Sequence, residues 1–85
     1  MIHILEAISA SGKSNIWWNS YLDSVMFNVQ DKDTGMYILK GNYIAVTGFV
    51  EYSKHGLSIG YCDPEDLPEV IDMFIRLDEI GRKVK

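Results

Sequence analysis

Eighty-five residues, 47% of them hydrophobic, 24% charged and 12% aromatic, make one domain of ordinary globular composition. A chain this short buries only roughly 60 to 65% of the surface its unfolded form exposes, so little interior remains in which to enclose an active site. Eight Lys and Arg against 12 Asp and Glu leave a formal charge of −4, which disfavours direct nucleic-acid binding, and three Phe, two Trp and five Tyr exclude a disordered chain.

At the N-terminus Ile2 and Ile4 alternate as in a strand, although Leu5 and Ile8 would also suit a helical turn; the alternation favours a strand. Glu6 interrupts the apolar start from Met1 to Ala10 and no Lys or Arg precedes it, so no secretory leader is read and a cytoplasmic location is expected. No apolar run approaches the roughly 20 residues needed to cross a bilayer. Ser9 to Ser14 reads as a loop of small residues. In the run Asn15 to Leu22, the side chains of Ile16, Trp17, Trp18, Tyr21 and Leu22 fit either a short helix or an irregular aromatic segment.

From Ser24 to Gln30 the pattern alternates, with Val25, Phe27 and Val29 on one side and Met26, Asn28 and Gln30 on the other, which predicts a strand. Asp31 to Gly35 is a polar turn, and Met36 to Lys40 returns from it. Gly41-Asn42 has the form of a two-residue type II′ hairpin turn leading into a long strand, Tyr43 to Tyr52, apolar on both faces and therefore central. Ser53 to Gly56 is the next turn. A strand from Leu57 to Cys62 follows, with Leu57, Ile59 and Tyr61 on one face and Ser58, Gly60 and Cys62, all small, on the other.

The C-terminal end carries the clearest period. Leu67, Val70, Ile71, Phe74, Leu77 and Ile80 predict an amphipathic helix from about Leu67 to Ile80, with Asp63-Pro64-Glu65-Asp66 as the preceding turn, Pro68 in its first turn and Gly81 as its stop. Acidic residues crowd its positive end and Arg82, Lys83 and Lys85 follow its negative end, the sense the helix dipole favours. The expected architecture is α+β: one compact domain over residues 1–85, an antiparallel sheet of four to five strands with the C-terminal helix packed on one face. One helix cannot cover two faces. The second face needs the Trp-containing segment, another copy of the chain or a different partner.

Motifs of chemistry are weak. Ser11-Gly12-Lys13-Ser14 has the ending of a phosphate-binding loop, but Ala7 stands where that motif needs its first glycine and no parallel βαβ unit holds it. Around Asp31, Gly35 stands where a calcium loop needs an oxygen ligand and Asn42 where it needs a bidentate glutamate. Asp33-Thr34-Gly35 has the tripeptide of aspartic proteases, yet Gln30-Asp31-Lys32 before it favours water rather than a buried shared proton. His3, His55 and Cys62 show no paired metal-ligand spacing, and the lone Cys62 precedes acidic Asp63, which opposes a thiolate. No metal, cofactor or catalytic set is expected, and the chain is read as a non-enzyme.

Two features remain. Adjacent Trp17 and Trp18 cannot both reach one small core, so one is a candidate for exposure at an interface. Seven carboxylates, Asp63, Glu65, Asp66, Glu69, Asp72, Asp78 and Glu79, lie in one segment against the single Arg76. Such a row can imitate a nucleic-acid backbone toward a basic groove. By elimination the sequence reads as a small acidic non-catalytic protein-binding module, an inhibitor of a nucleic-acid-processing or host-defence complex of the kind viruses encode. Its expected contacts to a larger protein partner are Trp17, Trp18, Glu65, Asp66, Glu69 and Asp72. The alternative is a dimeric small-molecule or single-strand nucleic-acid binder using Tyr37, Tyr43, Phe49 and Tyr52 as platforms.

Overall fold

The computed structural model describes residues 1–12 and 14–84, and the side chains of all of these except Ser58, Arg82, Lys83 and Val84. Helix α1 (Ile2–Ala10) is followed by strands β1 (Ser14–Ser20), β2 (Ser24–Asp31), β3 (Tyr37–Ile44), β4 (Phe49–Lys54) and β5 (Leu57–Cys62). A single 3-10 turn, Pro64–Asp66, then leads into helix α2 (Leu67–Val84). The strands form one antiparallel sheet in the order β1-β2-β3-β4-β5, each paired with its neighbours in the chain. The fold is α+β, with the C-terminal helix packed against the sheet.

The N-terminal segment is a helix rather than the expected strand. Met1, Ile4, Leu5 and Ile8 lie at helical spacing; Leu5 and Ile8 are buried, and Met1 and Ile4 pack against the core. The Ile2/Ile4 alternation was the weaker of two overlapping patterns. Ser11 ends the helix by donating its Oγ–H to the Ile8 carbonyl at 2.7 Å, and Gly12 leaves it at a φ of +88°. The Trp-containing segment is correspondingly neither helix nor irregular but edge strand β1, paired along its length with β2.

β2, the Asp31–Gly35 turn and β5 form where alternation and turn chemistry predict them. In the turn, the Asp31 carboxylate accepts the Asp33 N–H at 2.8 Å and the Thr34 N–H at 3.3 Å, which gives partners to an aspartate that is only 8% exposed. The hairpin expected at Gly41-Asn42 does not exist. β3 runs straight through both residues, and the chain reverses instead at Ala45–Gly48, so the expected long strand from Tyr43 to Tyr52 is two strands. A Cβ built on Gly41 would collide with the tip of the ring of Phe27, its cross-strand neighbour: this glycine makes room for a ring and does not turn the chain. The actual turn uses Gly48 at φ +74° and the Thr47 hydroxyl, which donates to the Ile44 carbonyl at 3.0 Å. Its apolar tip, Val46, stands 84% exposed and hides the turn from pattern reading.

Register then decides the faces. Ile16, Val25, Phe27, Val29, Leu39 and Val50 line one side of the sheet and are buried under Leu5 and Ile8 of α1 and Leu67, Ile71 and Ile75 of α2. A β-bulge where β2 meets β3 leaves Ile38 as an extra residue, and both Ile38 and Leu39 are fully buried. Tyr52 covers Gly60 across the β4–β5 pair and meets the Phe74 ring edge-on at 6.0 Å, so the small face of β5 does admit a bulky neighbour. Lys54 lies 3.0 Å from Asp78 and clips the helix to β4. The apolar stripe of α2 follows Leu67, Ile71 and Ile75, whereas Leu77 and Ile80 are 54% and 57% exposed, because residues spaced by three lag behind a period of about 3.6. Gly81 does not stop the helix, which continues to Val84; helix-forming residues follow it and no proline intervenes.

The two glycines make opposite predictions. Gly41→Ala overpacks the Phe27 site and lowers stability by about 1 to 3 kcal/mol, each kcal/mol appearing as roughly 4 to 8 °C in Tm. Gly81→Ala, with nothing within 4 Å of the added methyl, raises stability by about 0.5 to 1 kcal/mol. Thermal unfolding of the two variants beside the parent checks both signs.

Candidate functional site: two opposed surfaces

Both helices occupy one face of the sheet, and the described residues place no element on the other. Strand alternation sends Trp17 and Trp18 to opposite sides. Trp18 sits across from Phe27 and packs, half-buried, against the core, while Trp17 points to the open face and is 56% exposed. The pair therefore does not act as one site.

Trp17 begins a band that sequence reading missed. Met26 stands diagonally across from it on β2, Ile44 diagonally from Met26 on β3, Phe49 directly opposite Ile44 on β4, and Tyr61 diagonally from Phe49 on β5. Diagonal cross-strand neighbours lie roughly 7 to 8 Å apart, within reach of aromatic and long side chains. One apolar residue from each of five strands thus forms a continuous arc, with Phe49 and Tyr61 exposed and Ile44 half-buried. Along the arc, Asn42, Ile44, Thr47, Phe49, Glu51 and Tyr61 outline a shallow depression of about 260 Å³. Around the arc lie Asn19, Asn28, Lys40, Asn42 and Glu51, so the face is neutral and poor in charge. Nothing in local sequence links these five residues; only the register brings them together.

The acidic segment lies on the opposite side of the molecule. Glu69, Asp72, Arg76 and Glu79 recur at three- and four-residue spacing on the outward face of α2, and Glu65 and Asp66 stand exposed in the 3-10 turn before it. Asp78 belongs to the inner side, where Lys54 neutralises it. The structure adds one carboxylate from outside that segment: Asp33 of the β2–β3 turn lines the same hollow of about 320 Å³ as Asp72, Arg76 and Glu79. Trp17 and the acidic residues therefore cannot form one patch, because the sheet separates them.

The four aromatic platforms of the alternative reading do not share a face either. Tyr43 and Tyr52 pack against the core on the helix side, Tyr37 stands 5.7 Å from the His55 ring and donates its O–H to the Ser53 carbonyl at 3.3 Å, and only Phe49 joins the open-face arc. Cys62 is half-buried; burial first, and then Asp66 and Asp63, push its thiol above the usual range. Among the described residues no three His, Cys, Asp or Glu side chains are placed to hold a metal ion, and no helix is long and apolar enough to cross a membrane. Lys13 of the Ser11-Gly12-Lys13-Ser14 motif and Lys85 lie outside the described residues, as do the side chains of Arg82 and Lys83. No family model, curated protein or solved structure is similar enough to this chain to match.

The split of the Trp pair has a direct readout. Trp18→Ala removes a ring packed on the core and costs about 3 kcal/mol, whereas Trp17→Ala changes stability by less than about 0.5 kcal/mol. In Trp18→Phe, the remaining Trp17 fluorescence is strongly quenched by acrylamide; in Trp17→Phe, Trp18 is protected. Equal quenching of the two would contradict the register of β1.

Proposed function

We propose that this protein is a non-catalytic protein-binding module that engages a basic partner through the outward face of α2. The partner reading is an inhibitor's: the surface occupies a groove that a nucleic-acid-processing or host-defence protein reserves for phosphates. The observation that carries it is the concentration of carboxylates on one side of the molecule. Glu65, Asp66, Glu69 and Glu79 are exposed and Asp72 half-buried on this side, joined by Asp33, with Arg76 as the one cation among them in the described residues, while the opposite face is neutral. A row of net negative charge raises the association rate with a positively charged groove and disfavours contact with nucleic acid itself.

The helix dipole also favours Glu65, Asp66 and Glu69 where they stand, but only within its first turn. Asp72, Glu79 and Asp33 lie beyond that reach. They surround Arg76, with Asp72 four residues before it, Glu79 three after it and Asp33 lining the same hollow, so among the described residues one cation answers three carboxylates and the cluster keeps a net negative charge toward a basic partner.

The experiment is capture of a basic protein from host lysate by the parent chain and by a Glu69→Lys/Asp72→Lys double variant, with circular dichroism to confirm the fold. The reading predicts a partner released as salt rises to about 0.3 M, where the Debye length is well under 10 Å, and bound at least tenfold more weakly by the double variant. The recovered partner should also lose its nucleic-acid binding when the parent chain is added. Capture that is indifferent to both salt and charge reversal overturns it.

A further inference from the structure

We propose that the open face of the sheet is the docking surface for a second copy of this chain, so that two sheets stack face to face with Lys40 of each copy set against Glu51 of the other. The proposal stands on the sheet face alone and does not depend on what α2 binds.

Three observations select a second copy over another occupant. The first is size. Five strands spaced roughly 4.8 Å apart, presenting three outward residues each at about 6.8 Å, make a face of roughly 20 by 20 Å, and stacking two such faces removes on the order of 1,000 Å² of surface, the threshold a biological interface has to reach. Its arc of Trp17, Met26, Ile44, Phe49 and Tyr61 supplies the aromatic and Met residues that enrich interface centres.

The second is charge. Lys40 and Glu51 lie diagonally on the centre of this face, and neither has an ion-pair partner among the described residues. A two-fold axis lying in the interface exchanges one for the other, so a face holding one cation and one anion is complementary to itself. A strongly charged partner finds nothing here to match.

The third is long-range repulsion. Each copy carries a formal charge of −4, and a contact made through the helix side would bring two acidic helices together. Face-to-face stacking does the reverse. Sheets pack about 10 Å apart, and the helices lie on the two outer surfaces beyond them, farther from each other than the Debye length of about 8 Å at physiological salt. This geometry buries the apolar arc while keeping the like-charged surfaces apart.

Sedimentation equilibrium tests the proposal with charge swaps. The parent is expected at twice the 9.7 kDa chain mass, Lys40→Glu and Glu51→Lys each weaken the dimer at least tenfold, and the double swap Lys40→Glu/Glu51→Lys restores it. Circular dichroism on each variant separates a lost interface from a lost fold, and Phe49→Ser, at a residue 53% exposed, gives an independent interface variant expected to dissociate the dimer without unfolding the chain. A parent that stays monomeric up to about 1 mM, or a dimer that neither single reversal nor Phe49→Ser disturbs, overturns the assignment. So does a monomer that takes up a foreign protein on this same face.

Discussion

The ring of Phe27 lying over Gly41 is the contact on which the rest of the architecture depends. Phe27 is 1% exposed and sits in the second of five strands, where it fills the space a side chain at position 41 would take. Burying such a ring contributes roughly 1.5 to 3 kcal/mol, but its larger effect is on topology. It holds β3 straight through a residue pair that favours a hairpin, postpones the reversal to Ala45–Gly48, and thereby sets which residues of β4 and β5 face the helices. Had the chain turned at Gly41-Asn42, the pairing of β3 with β4 would shift and the Tyr52–Phe74 contact that seats α2 would be lost.

Sequence reading succeeds where a period and its punctuation agree. α2 shows a helical apolar stripe with an acidic entry, β2 a clean alternation, and the Asp31–Gly35 turn its Asx chemistry. It fails where a residue serves a tertiary neighbour instead of its own local conformation. Gly41 is chosen for Phe27, Val46 is an apolar residue at a turn tip, and α1 is a nine-residue helix with no side-chain cap and no acidic residue in its first turn. Helices this short draw their stability from packing, which no local pattern reports.

The same division applies to the surfaces. That Trp17 and Trp18 part company follows from adjacency alone, and the acidity of α2 is a linear run; both are visible before any fold is known. The open-face arc is not, because each of its members comes from a different strand and acquires neighbours only through register. Sidedness is what the structure adds to the charge of −4. Most acids of the Asp63–Glu79 segment gather on the helix side, the exposed apolar residues of the sheet gather on its bare side, and the core between them lets each surface change without disturbing the other. A chain of 85 residues with a single helix layer has no second core in which to hide Phe49 or Tyr61.

Proton NMR at Gly41 tests the central contact most directly. With Phe27 stacked on the glycine, the Gly41 Hα resonances are shifted strongly upfield by the aromatic ring current and show cross-relaxation to the Phe27 ring protons, and the strand pattern of β3 continues unbroken from Tyr37 to Ile44. Gly41 Hα resonances at ordinary positions, with sequential contacts of a tight turn between Lys40 and Tyr43, would contradict the account and return the chain to the hairpin that its local sequence suggests.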